Sequence, residues 1–151
     1  MIDVYLACPY SSSYHALKVQ RTLAADKAAA KLMSAGFLTF SPISHSHGIA
    51  TNGGLPGDWN FWQEYDEEFI AFARTLVVLT IPGYETSTGV AAEKKIADEI
   101  GRPVYYWDGK DENFLVELRA TIDEIKKHEL ERFESQLDAL EEQIDEIEKE
   151  T

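Results

Sequence analysis

Two carboxylates in this chain fall where an ionised group is hard to keep. Glu93 closes the segment Ser87-Thr88-Gly89-Val90-Ala91-Ala92-Glu93, which opens a helical pattern running to Ile100. On a helix its same-face neighbours are Gly89, Ile96, Ala97 and Ile100, an apolar stripe. Asp66 belongs to a second helical pattern, Trp59 to about Arg74, where it shares a face with Trp62, Phe69, Ile70 and Ala73, while Glu64, Glu67 and Glu68 turn to solvent. A charge inside an apolar stripe is costly unless it is paired or used. If the two helices flank one strand, the carboxylates can meet in one pocket, where burial and mutual repulsion push their pKa values apart. One can then stay ionised as a nucleophile while the other keeps a proton as an acid, the division of roles in retaining glycoside cleavage. The simpler readings are an acidic residue in the early turns of a helix for Glu93, and a side chain that caps or pairs with a backbone group near the core edge for Asp66.

The elements that would position these groups follow from apolar runs and their punctuation. Ile2 to Ala7 reads as a buried strand, ended by Cys8-Pro9-Tyr10-Ser11-Ser12-Ser13. Tyr14 to Ala35 is helical, with Val19, Leu23, Ala30 and Met33 expected on its inner face and Gly36 as the stop. Phe37 to Phe40 is a second strand, followed by an expected polar loop from Ile43 to Asp58, with Asp58 as N-cap of the next helix. Thr75 to Ile81 is a third strand, Thr88 to Ile100 a helix, Arg102 to Trp107 a fourth strand, and the rest is helical. Alternating strands and helices imply an α/β fold, a parallel sheet with helices on both faces. A small flavodoxin-like sheet of four or five strands, ordered 2-1-3-4, reverses direction between strands 1 and 3. That crevice receives the end of strand 1 from one side and Ser87 and Gly89 from the other. The helix opening at Thr88 presents free N–H groups and a positive dipole end, and Gly89 lets a ligand approach the backbone.

Composition narrows the functional classes. The chain has 151 residues and a net charge of −13, with one cysteine. Residues 1–110 carry net −3, and residues 111–151 carry net −10. Neither part has a basic patch suited to a nucleic-acid polymer or an anionic membrane, whereas a small anion needs only a few N–H groups. No apolar run approaches the length of a membrane span. The N-terminus reads as a strand without the layout of a signal peptide, and a lone Cys8 fits a reducing cytoplasm. His45 and His47 lack the companions of a metal site, so no metal or other cofactor is expected; His45 is expected to hydrogen-bond in the crevice. Trp59 and Trp62 could stack on a base, although aromatic residues on a helix more often serve the core. Cys8 reads as a buried thiol rather than a nucleophile.

Taken as a set, Val4-Tyr5-Leu6-Ala7-Cys8-Pro9-Tyr10-Ser11, Ser41-Pro42-Ile43-Ser44-His45-Ser46, Asp58-Trp59 through Asp66, and Ser87 through Glu93 resemble the nucleoside 2-deoxyribosyltransferase superfamily. They look closest to its small, often phage-borne branch of unknown function, beside the nucleoside 5′-monophosphate N-glycosidases. The resemblance covers residues 4 to about 106. It implies that Glu93 attacks the anomeric carbon, that the Tyr5 hydroxyl holds that carboxylate, and that Asp66 serves the departing base. It also implies that Ser87 and the N–H groups near Gly89 receive a 5′-phosphate, with water or a second base as acceptor. The monophosphate hydrolases carry an arginine in the first loop; here Ser11 stands at about that place, able to donate a hydrogen bond but bringing no charge. Arg21 is the weaker candidate to replace it. The loop Gly83-Tyr84-Glu85 is longer than the family pattern and reads as a lid or a surface loop.

The C-terminal region has its own pattern. Leu115, Leu118, Ile122 and Ile125 step by 3 and 4, as do Leu130, Phe133, Leu137, Leu140, Ile144 and Ile147, with a slip of one residue between the two sets. The expected division is a domain over 1–127 and an acidic coiled-coil helix over 128–151 that assembles a homo-oligomer. The expected function is cleavage of the N-glycosidic bond of a (deoxy)nucleoside or nucleoside 5′-monophosphate. The alternative is a non-catalytic module that binds or sequesters nucleotides and oligomerises through its tail.

Overall fold

A computed structural model describes residues 1–150. Its elements in chain order are β1 (Ile2–Ala7), α1 (His15–Ser34), β2 (Thr39–Phe40), α2 (Pro42–Gly53), α3 (Trp59–Ala71), β3 (Ala73–Leu79), a 3-10 turn (Tyr84–Thr86), α4 (Thr88–Glu99), β4 (Val104–Trp107) and α5 (Glu112–Glu150). The chain divides into two compact units, Met1–Leu115 and Val116–Thr151.

In the first unit the described strands form one four-stranded sheet, ordered β2-β1-β3-β4 and parallel throughout. This is the expected α/β architecture with its reversal between β1 and β3. Val4 sits opposite Thr39 and Thr75, and Tyr5 opposite Phe40 and Leu76. Right-handed crossovers send α1 to one face, as the chain steps from β1 out to β2, and send α3 and α4 to the other. Strand side chains alternate between faces, so Tyr5 and Ala7 share the face of α3 and α4. There they pack with Ile70, Ala73, Leu76, Val78, Val90 and Ala97. Asp3 replaces part of the ladder at the β2 edge: its carboxylate accepts from the Leu38 N–H at 3.0 Å and pairs with Arg74 at 3.2 Å.

Three local expectations are corrected. The segment expected as a polar loop from Ile43 is helix α2: Ser41 caps it, accepting from the Ser44 N–H at 3.4 Å, Pro42 occupies its first turn, and Gly54 closes it at φ 67°. Ser-Pro is a helix start as well as a strand stop, because proline lacks only an N–H that the first turn leaves unbonded anyway. The inner face of α1 is Thr22, Ala25, Ala28, Ala29 and Leu32. Leu23 and Met33 are each 53% exposed, and Ala30 is exposed as well. Alanines let the helix approach its neighbours closely, so the small side chains and not the long ones mark the contact face. Finally, α3 stops at Ala71, and Ala73 is the first residue of β3, not part of the helix.

In the second unit α5 is a continuous helix in which Leu118 and Ile122 are buried. Leu130, Phe133, Leu137, Leu140, Ile144 and Ile147 are exposed. Among the described residues no helix is long and apolar enough to cross a membrane.

Candidate active site

A cleft of about 490 Å³ opens at the carboxyl ends of β1 and β3, and Asp66 and Glu93 both line it. That volume lies in the range of small-molecule sites. Three elements converge on its floor. Tyr5 points from β1 toward α3 and α4. Glu93 projects from the second turn of α4, and Asp66 from the middle of α3. Tyr5 is fully buried, Glu93 is 4% exposed and Asp66 7%. The Tyr5 hydroxyl donates to Glu93 Oε1 at 2.7 Å, while Glu93 Oε2 is buried without a hydrogen-bond partner.

The electrostatics follow from that burial. Glu93 is held well above the usual carboxylate range, first by burial; the Tyr5 hydrogen bond pulls it down and the neighbouring Asp66 charge pushes it up. Burial moves the Asp66 carboxyl up to about 6, against the lowering effect of the nearby Tyr5 hydroxyl. The Tyr5 phenol is pushed well above 10 by burial and then by the charges of Glu93 and Asp66, so it remains a donor. One phenol thus lies within reach of two carboxyl groups. Such a trio shares protons as a unit and does not titrate as independent residues.

The mouth of the cleft is polar on one side and aromatic on the other. Ser87 caps α4, its Oγ accepting from the Val90 N–H at 3.3 Å, which leaves the hydroxyl proton to donate elsewhere. A Cβ added at Gly89 would meet no atom closer than Ser87 Oγ at 3.9 Å, so no packing contact holds this position to glycine and the space above it belongs to the cleft. Arg21 lines the same end. Its guanidinium donates to the Ser11 carbonyl at 2.8 Å and the Pro82 carbonyl at 3.4 Å, bridging the loops that follow β1 and β3. Its Nε is buried without a partner, and among the described residues no carboxylate pairs with it. Opposite stand Trp59, Asn60 and Trp62 from the start of α3. The Trp62 indole N–H donates to the Pro56 carbonyl at 2.8 Å, which fixes the ring beside the loop before the helix.

The structure brings Glu93, Asp66, Ser87, Gly89, Ser11 and Trp62 around one cleft with Tyr5 beneath them. It leaves His45 outside the lining, packed on Phe40 with ring centroids 5.7 Å apart. The histidine linked to the cleft is His47, whose Nδ1 bonds the hydroxyl of the lining residue Tyr10 at 2.8 Å. The sequence hides this because a segment without apolar periodicity carries no sign of which way its side chains point. The sequence offers Arg21 as the weaker candidate for the phosphate end, and Asn60 only as the second residue past the Asp58 cap. Cys8 lines the cleft as a protonated thiol: burial and the Glu93 charge push it up to about 12, with Arg21 opposing. Among the described residues no group of three or more His, Cys, Asp and Glu side chains is placed to hold a metal ion.

No curated protein matches the sequence. Residues 2–109 match the family described as a domain of unknown function, DUF1937, and the chain belongs to that family.

Proposed function

We propose that this member of the DUF1937 family cleaves the N-glycosidic bond of a (deoxy)nucleoside or nucleoside 5′-monophosphate, with Glu93 as nucleophile and Asp66 as acid. The observation that carries the reading is the buried pair at the cleft floor, where one oxygen of Glu93 is held by Tyr5 and the other has no partner. A site that only binds has no use for two desolvated carboxyl groups, each of which costs stability at neutral pH. The resemblance of the four segments around Tyr5, Ser41, Asp66 and Glu93 to the nucleoside 2-deoxyribosyltransferase superfamily points the same way.

In this mechanism Glu93 Oε2 attacks C1′ as the bond from C1′ to the base nitrogen breaks. The electron pair of that bond leaves with the base, which takes a proton from Asp66. Water, deprotonated by the Asp66 carboxylate, then attacks C1′ of the glycosyl ester and frees Glu93; a second base in place of water gives transfer. The chemistry needs the shared proton on Asp66 and the charge on Glu93. Burial alone favours the opposite distribution, because Glu93 is the more deeply desolvated group. The Tyr5 hydrogen bond stabilises the Glu93 anion, and positive charge growing at C1′ adds to that at the moment it is required. Trp59 and Trp62 offer flat apolar surface to a base, and Arg21, Ser87 and the first N–H groups of α4 offer donors to the far end of the substrate.

The test is a panel of ribo- and deoxyribonucleosides and their 5′-monophosphates, followed by chromatography for free base. Base release that disappears in Glu93→Gln is the expected result. Removing a nucleophile costs several orders of magnitude in rate, so release at wild-type rate from that variant would refute the assignment.

A further inference from the structure

The C-terminal half of α5 presents an apolar seam whose flanks specify what can lie on it. Leu130, Leu137 and Ile144 alternate with Phe133, Leu140 and Ile147, each between 44% and 64% exposed. Their spacing places them at the a and d positions of a heptad repeat. The seam extends about 27 Å along the helix. The neighbouring e positions are Glu134 and Glu141, and the neighbouring g positions are Glu129, Gln136 and Gln143. From Glu129 to Ile147 the segment holds eight carboxylates and one cation.

A second copy of this helix is a poor occupant. Antiparallel pairing sets e against e, which opposes Glu134 and Glu141 to their own kind in every register. Parallel pairing sets g against the following e, which opposes Gln136 to Glu141. Neither arrangement makes an attractive flank pair, and both bring two strongly acidic segments within about one Debye length of each other. An anionic membrane or a nucleic-acid backbone is repelled for the same reason. What complements the seam is a helix with the same apolar spacing and lysine or arginine at its flanks, since each flanking glutamate then meets a cation. We propose that residues 130–147 dock a basic, amphipathic helix of another protein in a heterotypic coiled coil. This surface is independent of the glycosidic reading of the cleft.

The test uses the full chain in sedimentation equilibrium, alone and with two synthetic helical peptides. The peptides share a Leu/Ile seam of three heptads; one carries Lys at every e and g position, the other Glu. The chain alone should stay monomeric, and the Lys peptide should form a 1:1 complex that weakens by about tenfold or more as salt rises from ~0.1 to ~0.5 M. The Glu peptide should not bind. Leu137→Asp combined with Leu140→Asp should abolish the complex; both side chains are exposed, so the circular dichroism melt of the first unit should not move. Self-association lost in the same double variant would overturn the proposal in favour of a second copy. Failure of the Lys peptide to bind, or equal binding of the two peptides, would overturn it as well.

Discussion

Replacing Asp66 by asparagine should make the protein more stable at neutral pH, and by an amount that depends on pH in one direction only. In the folded chain the Asp66 carboxyl is raised from the ordinary 3.8 to about 6, chiefly by burial. In the unfolded chain it titrates near its ordinary value. Between those two points the unfolded state gives up its proton while the folded state keeps it, so stability falls as pH rises through the window. Above about 6 the full cost is present. A gap of roughly two pH units corresponds to about 3 kcal/mol. That is a ceiling, because the asparagine carboxamide brings its own burial cost. For a chain of this size a gain of 3 kcal/mol would raise the melting temperature by about 6–12 °C. Urea unfolding of wild type and Asp66→Asn at intervals from pH 4 to 8 measures the difference directly. The two should be nearly equal at the acid end and diverge between pH 4 and 6; any further divergence above that reports the loss of the Asp66 charge beside Glu93. A difference independent of pH, or a loss of stability that grows with pH, would refute the account of Asp66 as a desolvated carboxyl. The same variant should slow base release by about 10²–10⁴-fold on unactivated nucleosides and spare substrates with an activated leaving group.

Tyr5→Phe removes the 2.7 Å hydrogen bond to Glu93. A bond to a charged group is worth about 1.5–3 kcal/mol, so kcat should fall about 10–100-fold. The acid limb of the rate profile should move to higher pH, because that hydrogen bond lowers the Glu93 pKa; an unmoved limb would mean that Tyr5 does not govern the charge on Glu93. Arg21→Ala should raise KM for 5′-monophosphates while leaving nucleosides nearly untouched; equal losses on both would assign Arg21 to bridging the loops at Ser11 and Pro82 rather than to the ligand. Cys8→Ala should retain turnover, since the thiol is pushed up to about 12 and stays protonated; abolished turnover together with an unchanged melting curve would reopen nucleophilic sulfur.

Much of the geometry of the cleft could be read from misfits. Glu93 and Asp66 stood out because each broke an apolar stripe, and strand order then placed them on one side of the sheet. The order itself followed from apolar runs separated by Gly36 and the Asp58 cap, since β–α alternation and right-handed crossovers leave few topologies. What stayed hidden was governed by direction rather than by type. Helix α2 has little apolar periodicity, so Ser41-Pro42 reads as a strand stop as readily as a helix start, and nothing in the sequence directs His45, which does not line the cleft. On α1 the alanines carry the contact and the larger apolar residues do not, which hydrophobicity ranks the wrong way round. The hydrogen bonds of Arg21 to carbonyls distant in sequence leave no local trace at all.

Gly83 and Arg21 restrict how this cleft can be altered, by nature or by engineering. Gly83 has φ 97°, and a Cβ there would run into the Arg21 guanidinium. Any side chain at position 83 must therefore accept an unfavourable backbone and displace the bridge between the two loops. A library that varies the rim one residue at a time will find position 83 intolerant while Arg21 remains. Shortening residue 21 removes the collision but not the backbone strain at φ 97°, and it takes away the bridge and the cation. Productive redesign of this rim has to change positions 21 and 83 together, and supply a new link between the two loops in the same step.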